Sequence, residues 1–498
     1  MELMGHRARI DRVNAESSLE LLRRLFADAS SDEQISAKVA NLVDEWLGRG
    51  SAATGSVRRL LLAGRTGEAL RIMRDSDGTV GAFPELVRCW YPGLRGDLPA
   101  EAGPIEVTTG LEGVRVLAAF LADHDADVAV CRAETVLRLC PMGEPALESL
   151  IAALATLVYA DRADLAGRWC APLLEQTTTH CDPHWQGMFA AIRAETAIRQ
   201  GRLRDAERCA RDALGHLPMA AWGVALGLPL ASMVTAKTLL GKPEDAARYL
   251  AVPVPEAMFQ TPVGPHYLAA RGGYRLSTGA PEEALADFLA CGDLMKSWDA
   301  DLPGLAAWRL GAARACLDLG RTADARAFAD EQLAAPGSGS ARVRGVATRL
   351  RAATLPLEQR PAALERAVEL LQSAQDRLEL AYALADAGSA YARLGDGHRA
   401  RSAGRRSRHL ARSSGAEPAA DTLAPRPPAE PARPGGTDLG GDLSEAERRV
   451  ATLAAQGHTN RQISGKLYVT VSTVEQHLTR IYRKLGVTRR ADLPVFLD

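Results

Sequence analysis

The sequence predicts an all-α protein: a long helical-repeat body joined by a proline-rich segment to a small four-helix domain at its C-terminal end. Three observations carry the prediction. Of 498 residues 47% are hydrophobic but only 5% aromatic, and Ala, Leu and Arg, which are strong helix formers, dominate. A helix-ending Gly followed five places on by Ala recurs at intervals near 40 residues. The last 56 residues carry helix caps and a 3.6-residue apolar stripe.

Residues 1–100 read as an N-terminal helical segment. Within it, residues 15–50 give two helices. Ser31 and Gln34 form a capping box. Ile35, Val39, Leu42, Val43, Trp46 and Leu47 then make an apolar stripe that Gly48 and Gly50 end. Pro92, Gly93, Gly96, Pro99, Gly103 and Pro104 interrupt the pattern and predict a loop over 90–112.

Residues 101–412 read as the repeat array. The Gly–Ala step occurs as Gly64 with Ala69, Gly201 with Ala206, Gly241 with Ala246, Gly279 with Ala284, Gly320 with Ala325 and Gly395 with Ala400. Degenerate copies sit near Asp161 with Ala166 and near Arg360. From 161 to 395 the spacings are 40, 40, 38, 41, 40 and 35. Glycine permits a tight turn between antiparallel helices, and alanine lets the first helix approach the second. Each pair buries its apolar faces only by stacking on neighbours, as in a solenoid. The step resembles the tetratricopeptide repeat, although the period is nearer 40 than 34 and most signature aromatics are missing. The other reading is a generic helical array with no superhelical binding function.

Three segments invite functional readings. His180-Cys181-Asp182-Pro183-His184 suggests a metal, but five adjacent residues cannot easily turn three ligands onto one ion, and Pro183 marks a loop before a helix. Arg399, Arg401, Arg405, Arg406, Arg408 and Arg412 form a basic run that finishes the last helix, as a solvated face or as a phosphate contact. Residues 413–442, with six prolines and the pairs Gly435-Gly436 and Gly440-Gly441, form an extended, semi-stiff linker.

Residues 443–498 then predict four short helices. Ser444 caps the first, with Glu447 completing a capping box, and Gly457 stops it. Thr459 caps a short second helix with Ile463 and Leu467 inward, and Tyr468-Val469 is the turn. Thr470 caps the third, whose apolar face is Val474, Leu478, Ile481 and Leu485. Its other face carries Ser472, Glu475, Gln476, Thr479, Arg480 and Arg483, while His477 beside Leu478 reads as half-buried packing. Thr488 caps the fourth. A short helix, a tight turn and a longer helix with a polar outer face make a helix-turn-helix, whose second helix can enter the major groove. There Glu475 can accept from a cytosine amino group and Gln476 can pair with adenine. Arg480, Arg483 and Lys484 stand where phosphates would pass.

This stretch resembles the C-terminal DNA-binding domain of LuxR-type regulators, from Leu443-Ser444 through Gly457-x-Thr459-Asn460 and Thr473-Val474-Glu475 to Lys484-Leu485-Gly486-Val487. The resemblance implies a four-helix domain whose third helix reads the groove and whose fourth pairs two copies. It would place Glu475, Gln476 and Thr479 toward bases, and Asn460, Thr473, Arg480 and Lys484 near the sugar-phosphate backbone. One departure is Glu475, an acid where response-regulator members often carry lysine, so the recognised bases can differ. Helical repeats ahead of such a domain resemble the large LuxR-type regulators without their ATPase.

Charge and missing motifs bound the alternatives. The net charge of −1 divides into +4 over 443–498, +3 over 397–442 and −8 over 1–396. A basic tail on an acidic body suits a regulator with one DNA-binding end. Only six of the 60 basic residues are Lys, as GC-rich coding would give. No signal-peptide core opens the chain, and no stretch is read as 18 uncharged apolar residues, so a cytoplasmic protein without a membrane span is expected. Eight scattered Cys without a C-x-x-C pair read as small buried residues of a reducing compartment. No phosphate-binding loop, nucleophile elbow or zinc spacing occurs, so neither an enzyme nor a cofactor is expected.

The reading is a cytoplasmic transcription regulator that binds double-stranded DNA as a homodimer. The resemblance implies an activator that contacts RNA polymerase and controls a secondary-metabolite gene cluster, with a protein or small-molecule effector on the helical repeats. The alternative from another class is an interaction scaffold whose C-terminal domain binds protein and shows no salt-dependent DNA affinity.

Overall fold

The computed structural model describes residues 52–75, 83–98, 111–140, 144–180, 183–335, 339–416, 445–456, 458–467 and 470–485, and among them every regular element is a helix. The helices expected over 15–50, the Tyr468-Val469 turn and the helix after Thr488 lie outside the described residues. The chain divides into two compact units, residues 1–426 and 427–498.

The first unit opens with α1 (Ala52–Leu62), α2 (Thr66–Asp75) and α3 (Phe83–Trp90), followed by a 3-10 turn at Pro92–Asp97. Next come α4 (Glu112–Asp123), α5 (Ala126–Leu139), α6 (Glu144–Tyr159), α7 (Ala163–His180), α8 (Pro183–Arg199) and α9 (Leu203–His216). After a 3-10 segment at Met219–Leu226 the chain continues as α10 (Gly227–Leu239), α11 (Pro243–Leu250), α12 (Val263–Ser277) and α13 (Pro281–Ser297). It ends with α14 (Trp308–Asp318), α15 (Thr322–Ala334), α16 (Ala341–Ala353), α17 (Arg360–Ser373), α18 (Arg377–Arg393) and α19 (Gly397–Ser414).

The repeat glycines do what their spacing requires. Gly64, Gly201, Gly241, Gly279, Gly320 and Gly395 all take positive φ, between 68° and 84°. Each ends a helix in a Schellman turn. At Gly201, for example, the glycine N–H donates to the Ile198 carbonyl and the next N–H, of Arg202, to Ala197, both at 2.9 Å. Asp161, the degenerate copy, makes the same turn at φ 57°, with Arg162 N–H on the Leu157 carbonyl at 2.8 Å. Every alanine five places on is buried, from Ala69, Ala166, Ala206, Ala246 and Ala284 at 0% to Ala325 at 1% and Ala400 at 4%. The basic residue after the turn pairs with an acid in the next helix, as in Arg65–Glu68 at 2.6 Å, Arg202–Asp205 at 3.2 Å and Arg321–Asp324 at 2.7 Å. The copy near Arg360 differs. There the junction of α16 and α17 is a 3-10 turn at Leu357–Gln359, and Pro361 opens the helix.

Contacts are not confined to neighbouring pairs, unlike those of an open solenoid. Ser340 donates to Asp161 at 2.6 Å across 179 residues, and Arg342 reaches Asp161 at 3.5 Å and Asp376 at 3.2 Å. Leu203, Leu240, Leu378 and Ala416 form one apolar cluster, so the end of α19 packs back on the middle of the array. The cause is sequence-distant apolar surface at the turns, which no local pattern reveals.

One expectation is corrected. Residues 219–239 are long and apolar enough to cross a membrane by length and composition. The run is a core element: 72% of its apolar window is buried, and Gly223, at φ 52° and ψ −132°, breaks it within the Met219–Leu226 segment ahead of α10. A Cβ at Gly223 would stand 2.0 Å from the Leu62 carbonyl oxygen, so α1 is seated directly on this break. Cysteine burial is also less uniform than expected. All seven described thiols are free, and most are buried, but Cys131 is exposed and Cys140 half-buried.

Candidate nucleic-acid interface

The second unit is built around α20 (Glu445–Ala455), α21 (Asn460–Leu467) and α22 (Val471–Leu485). Val450, Ala451, Ala454, Ile463, Val474, Leu478 and Ile481 form its core, with Leu467 packed against them. Burial of one stripe on each helix fixes which side of α22 remains outside.

Both central caps form as the residues predict. The Thr459 N–H donates to Gln462 Oε1 at 2.9 Å, and the Gln462 N–H donates back to Thr459 Oγ1 at 3.3 Å, a reciprocal capping box. The Thr473 N–H donates to Thr470 Oγ1 at 3.2 Å, capping α22. Such a cap contributes about 1 kcal/mol. Glu447 is buried, while its expected partner Ser444, like Gly457, lies outside the described residues.

The two faces of α22 separate cleanly. Val474, Leu478 and Ile481 are 0%, 5% and 0% exposed, whereas Glu475, Gln476 and Thr479 are exposed. At about 100° per residue those three lie within an arc of roughly 100°, turned away from the apolar stripe. Thr479 Oγ1 donates to the Glu475 carbonyl at 2.9 Å, which anchors its hydroxyl to the helix. Asn460 and Thr473 are half-buried beside the two caps, and Thr473 Oγ1 lies 2.8 Å from Thr470 Oγ1. His477 is half-buried, with Nδ1 lacking a partner among the described residues. Arg480, Arg483 and Lys484 belong to α22, but their side chains, like that of Ser472, lie outside the described residues.

Sequence reasoning missed Val471. It is a large apolar residue, 39% exposed, at the first position of α22. Its place directly after the Thr470 cap, in the open first turn of α22, is the signal that would have found it. Arg461 and Lys466 on α21 are also exposed, and Lys466 Nζ lies 2.8 Å from His458 Nε2.

This geometry coincides with a sequence likeness. Residues 442–497 match the family described as bacterial regulatory proteins, luxR family. Residues 442–497 are a LuxR-family helix-turn-helix domain. Over 53 residues the chain is 42% identical to proteins named as HTH-type transcriptional regulators in Mycobacterium bovis and Mycobacterium tuberculosis, covering 11% of this chain and 6% of each relative. Over 51 residues it is 43% identical to the oxygen regulatory protein NreC of Staphylococcus aureus, covering 10% of this chain and 24% of the relative. The chain thus matches only a small part of these relatives' length.

In the first unit, α19 carries the arginine run. Arg401, Arg405, Arg408 and Arg412 fall at intervals of four, three and four, so they share one stripe about 16 Å long. None of the four makes an ion pair among the described residues, whereas Arg399 pairs with Asp396 at 3.2 Å.

Proposed function

We propose that this protein is a sequence-specific, DNA-binding transcription regulator whose α22 reads the major groove. The observation that carries the reading is the outward face of α22, where Glu475, Gln476 and Thr479 stand exposed on a capped, well-packed helix. Glutamine suits adenine N6/N7, and glutamate accepts from cytosine N4. Val471 adds an apolar side chain of the kind that meets a thymine methyl. Asn460, Thr473, Arg480, Arg483 and Lys484 take the sugar-phosphate backbone, which positions the helix without specifying sequence.

The remainder of the reading rests on the resemblance to LuxR-type regulators. Two copies pair on a partly symmetric site with recognition helices about one helical turn apart. The regulator activates a secondary-metabolite gene cluster through contact with RNA polymerase, and the helical body senses a ligand or a partner.

A gel-shift titration tests the groove assignment. Gln476→Ala relaxes base preference, whereas Arg480→Ala weakens binding to all sequences and lowers the salt slope by about one. Two variants indistinguishable from the parent chain refute the assignment.

A further inference from the structure

The two largest apolar clusters of the first unit meet without merging. One is centred on α6 and α8, the other on α1, the Met219–Leu226 segment and α10, and Trp90, Met188 and Phe259 pack against both. Between them lies a cavity of about 210 Å³ with an overwhelmingly apolar lining. An apolar cavity on the order of 150 Å³ is enough to admit benzene.

The polar groups of the cavity stand at its two ends. Residues 148 to 159 of α6 and 184 to 195 of α8 run along its walls, about 16 Å in each case. At one end Arg58 pairs with Glu148 at 2.8 Å. At the other, Glu195 pairs with Arg199 at 2.8 Å. Both carboxylates therefore already have counter-ions. Beside Glu195, Tyr159 stacks on His266 with ring centroids 5.7 Å apart. Tyr159 is only 8% exposed, and neither its hydroxyl nor the His266 ring makes a hydrogen bond among the described residues. Burial holds the His266 imidazole below its usual pKa, with Glu195 opposing and Arg199 reinforcing, so the ring is neutral and can both donate and accept.

We propose that this cavity is a binding site for an uncharged, largely apolar molecule of one or two rings whose hydroxyl or carbonyl oxygen meets Tyr159 and His266. Its length and apolar walls select the body of the ligand. The Tyr159 hydroxyl and the His266 ring select the oxygen, because neither is committed to a hydrogen bond among the described residues and a ligand oxygen can supply one. The paired state of Glu148 and Glu195 excludes a charged group, which would be desolvated there with no counter-ion of its own. That such a ligand acts as the effector rests on the regulatory reading above.

Calorimetric titration of the full chain with 2-naphthol, a bicyclic probe with one hydroxyl, tests the site without any DNA, so a failure of the DNA-binding reading leaves the test intact. The expected result is one saturable site per chain, with 2-naphthoate at least about tenfold weaker. Tyr159→Phe keeps the ring and weakens 2-naphthol by about three- to tenfold while leaving naphthalene unchanged. Ala155→Leu, on the α6 wall, fills the space and abolishes binding of both. If that variant loses its helical circular dichroism, the Tyr159→Phe comparison decides alone. Absence of saturable binding up to the solubility of 2-naphthol overturns the proposal. So does equal affinity for 2-naphthol and 2-naphthoate, or indifference to Tyr159→Phe.

Discussion

The Asp161 carboxylate lies 3.1 Å from the Arg199 guanidinium, at the one repeat turn where a left-handed aspartate replaces glycine. Both side chains are buried, at 4% and 7% exposure, and Arg199 also donates to the Val158 carbonyl at 2.8 Å. Aspartate tolerates the left-handed region better than most residues. Here its carboxylate also gathers Arg342 and Ser340 from the far end of the array. Arg199→Leu leaves Asp161 and Glu195 without their shared cation, and a loss of roughly 3 kcal/mol or more is expected in urea denaturation. Asp161→Gly preserves the turn and removes the charge, so the double-mutant cycle should show a coupling of at least about 1 kcal/mol.

Two repeat glycines separate backbone strain from crowding. Gly279, at φ 78°, has open space where a Cβ would stand, whereas at Gly201, φ 68°, a Cβ would lie 3.0 Å from the Leu378 nitrogen. Gly279→Ala is expected to destabilise by about 1 kcal/mol, the left-handed penalty alone. Gly201→Ala must also push the start of α18 away, and its thermal midpoint should fall further.

Those two positions also mark what the sequence can disclose. The turn glycines were legible because only a residue without Cβ adopts positive φ cheaply, and the alanine step because close helix approach demands a small side chain. The left-handed His124, Asp299 and Gln375 were not legible, since no residue type announces them. The closure of the array through Ser340, Arg342 and Leu378 depends on surfaces far apart in sequence, 179 residues for Ser340 and Asp161, and the cavity likewise draws on distant segments. In the second unit the Val474–Leu478–Ile481 stripe gave the orientation of α22 directly, so the exposure of Glu475, Gln476 and Thr479 followed. Val471 escaped because apolar periodicity assigns apolar residues to the core.

Acid should weaken the first unit through its buried histidines. Burial lowers His184 to about 4, and His266 shifts in the same direction. An unfolded histidine titrates near 6.5, so on acidification the unfolded chain takes up protons first. Stability present at pH 7 is therefore lost as pH falls from about 6.5 to about 4, by on the order of 2 kcal/mol for His184. Melting curves at pH 7 and pH 4.5 measure the loss, and His184→Gln should reduce it.

The α19 stripe can be assigned by ionic strength. Its four arginines lack ion-pair partners among the described residues, which fits phosphate contact and a solvated face equally, and the phosphate reading makes the sharper prediction. Replacing Arg401, Arg405, Arg408 and Arg412 with Gln in the full chain is then expected to lower the salt slope of DNA binding by about 3–4. An unchanged slope assigns the stripe to solvent.

The groove-reading role of α22 is tested most directly by selecting bound duplexes from a randomised pool with the full chain and with Gln476→Ala. The parent chain is expected to enrich a defined, partly symmetric sequence, and the variant to enrich the same site with its preference lost at symmetry-related positions. Enrichment of one identical motif by both proteins, or of none by the parent chain at low salt, would contradict that role.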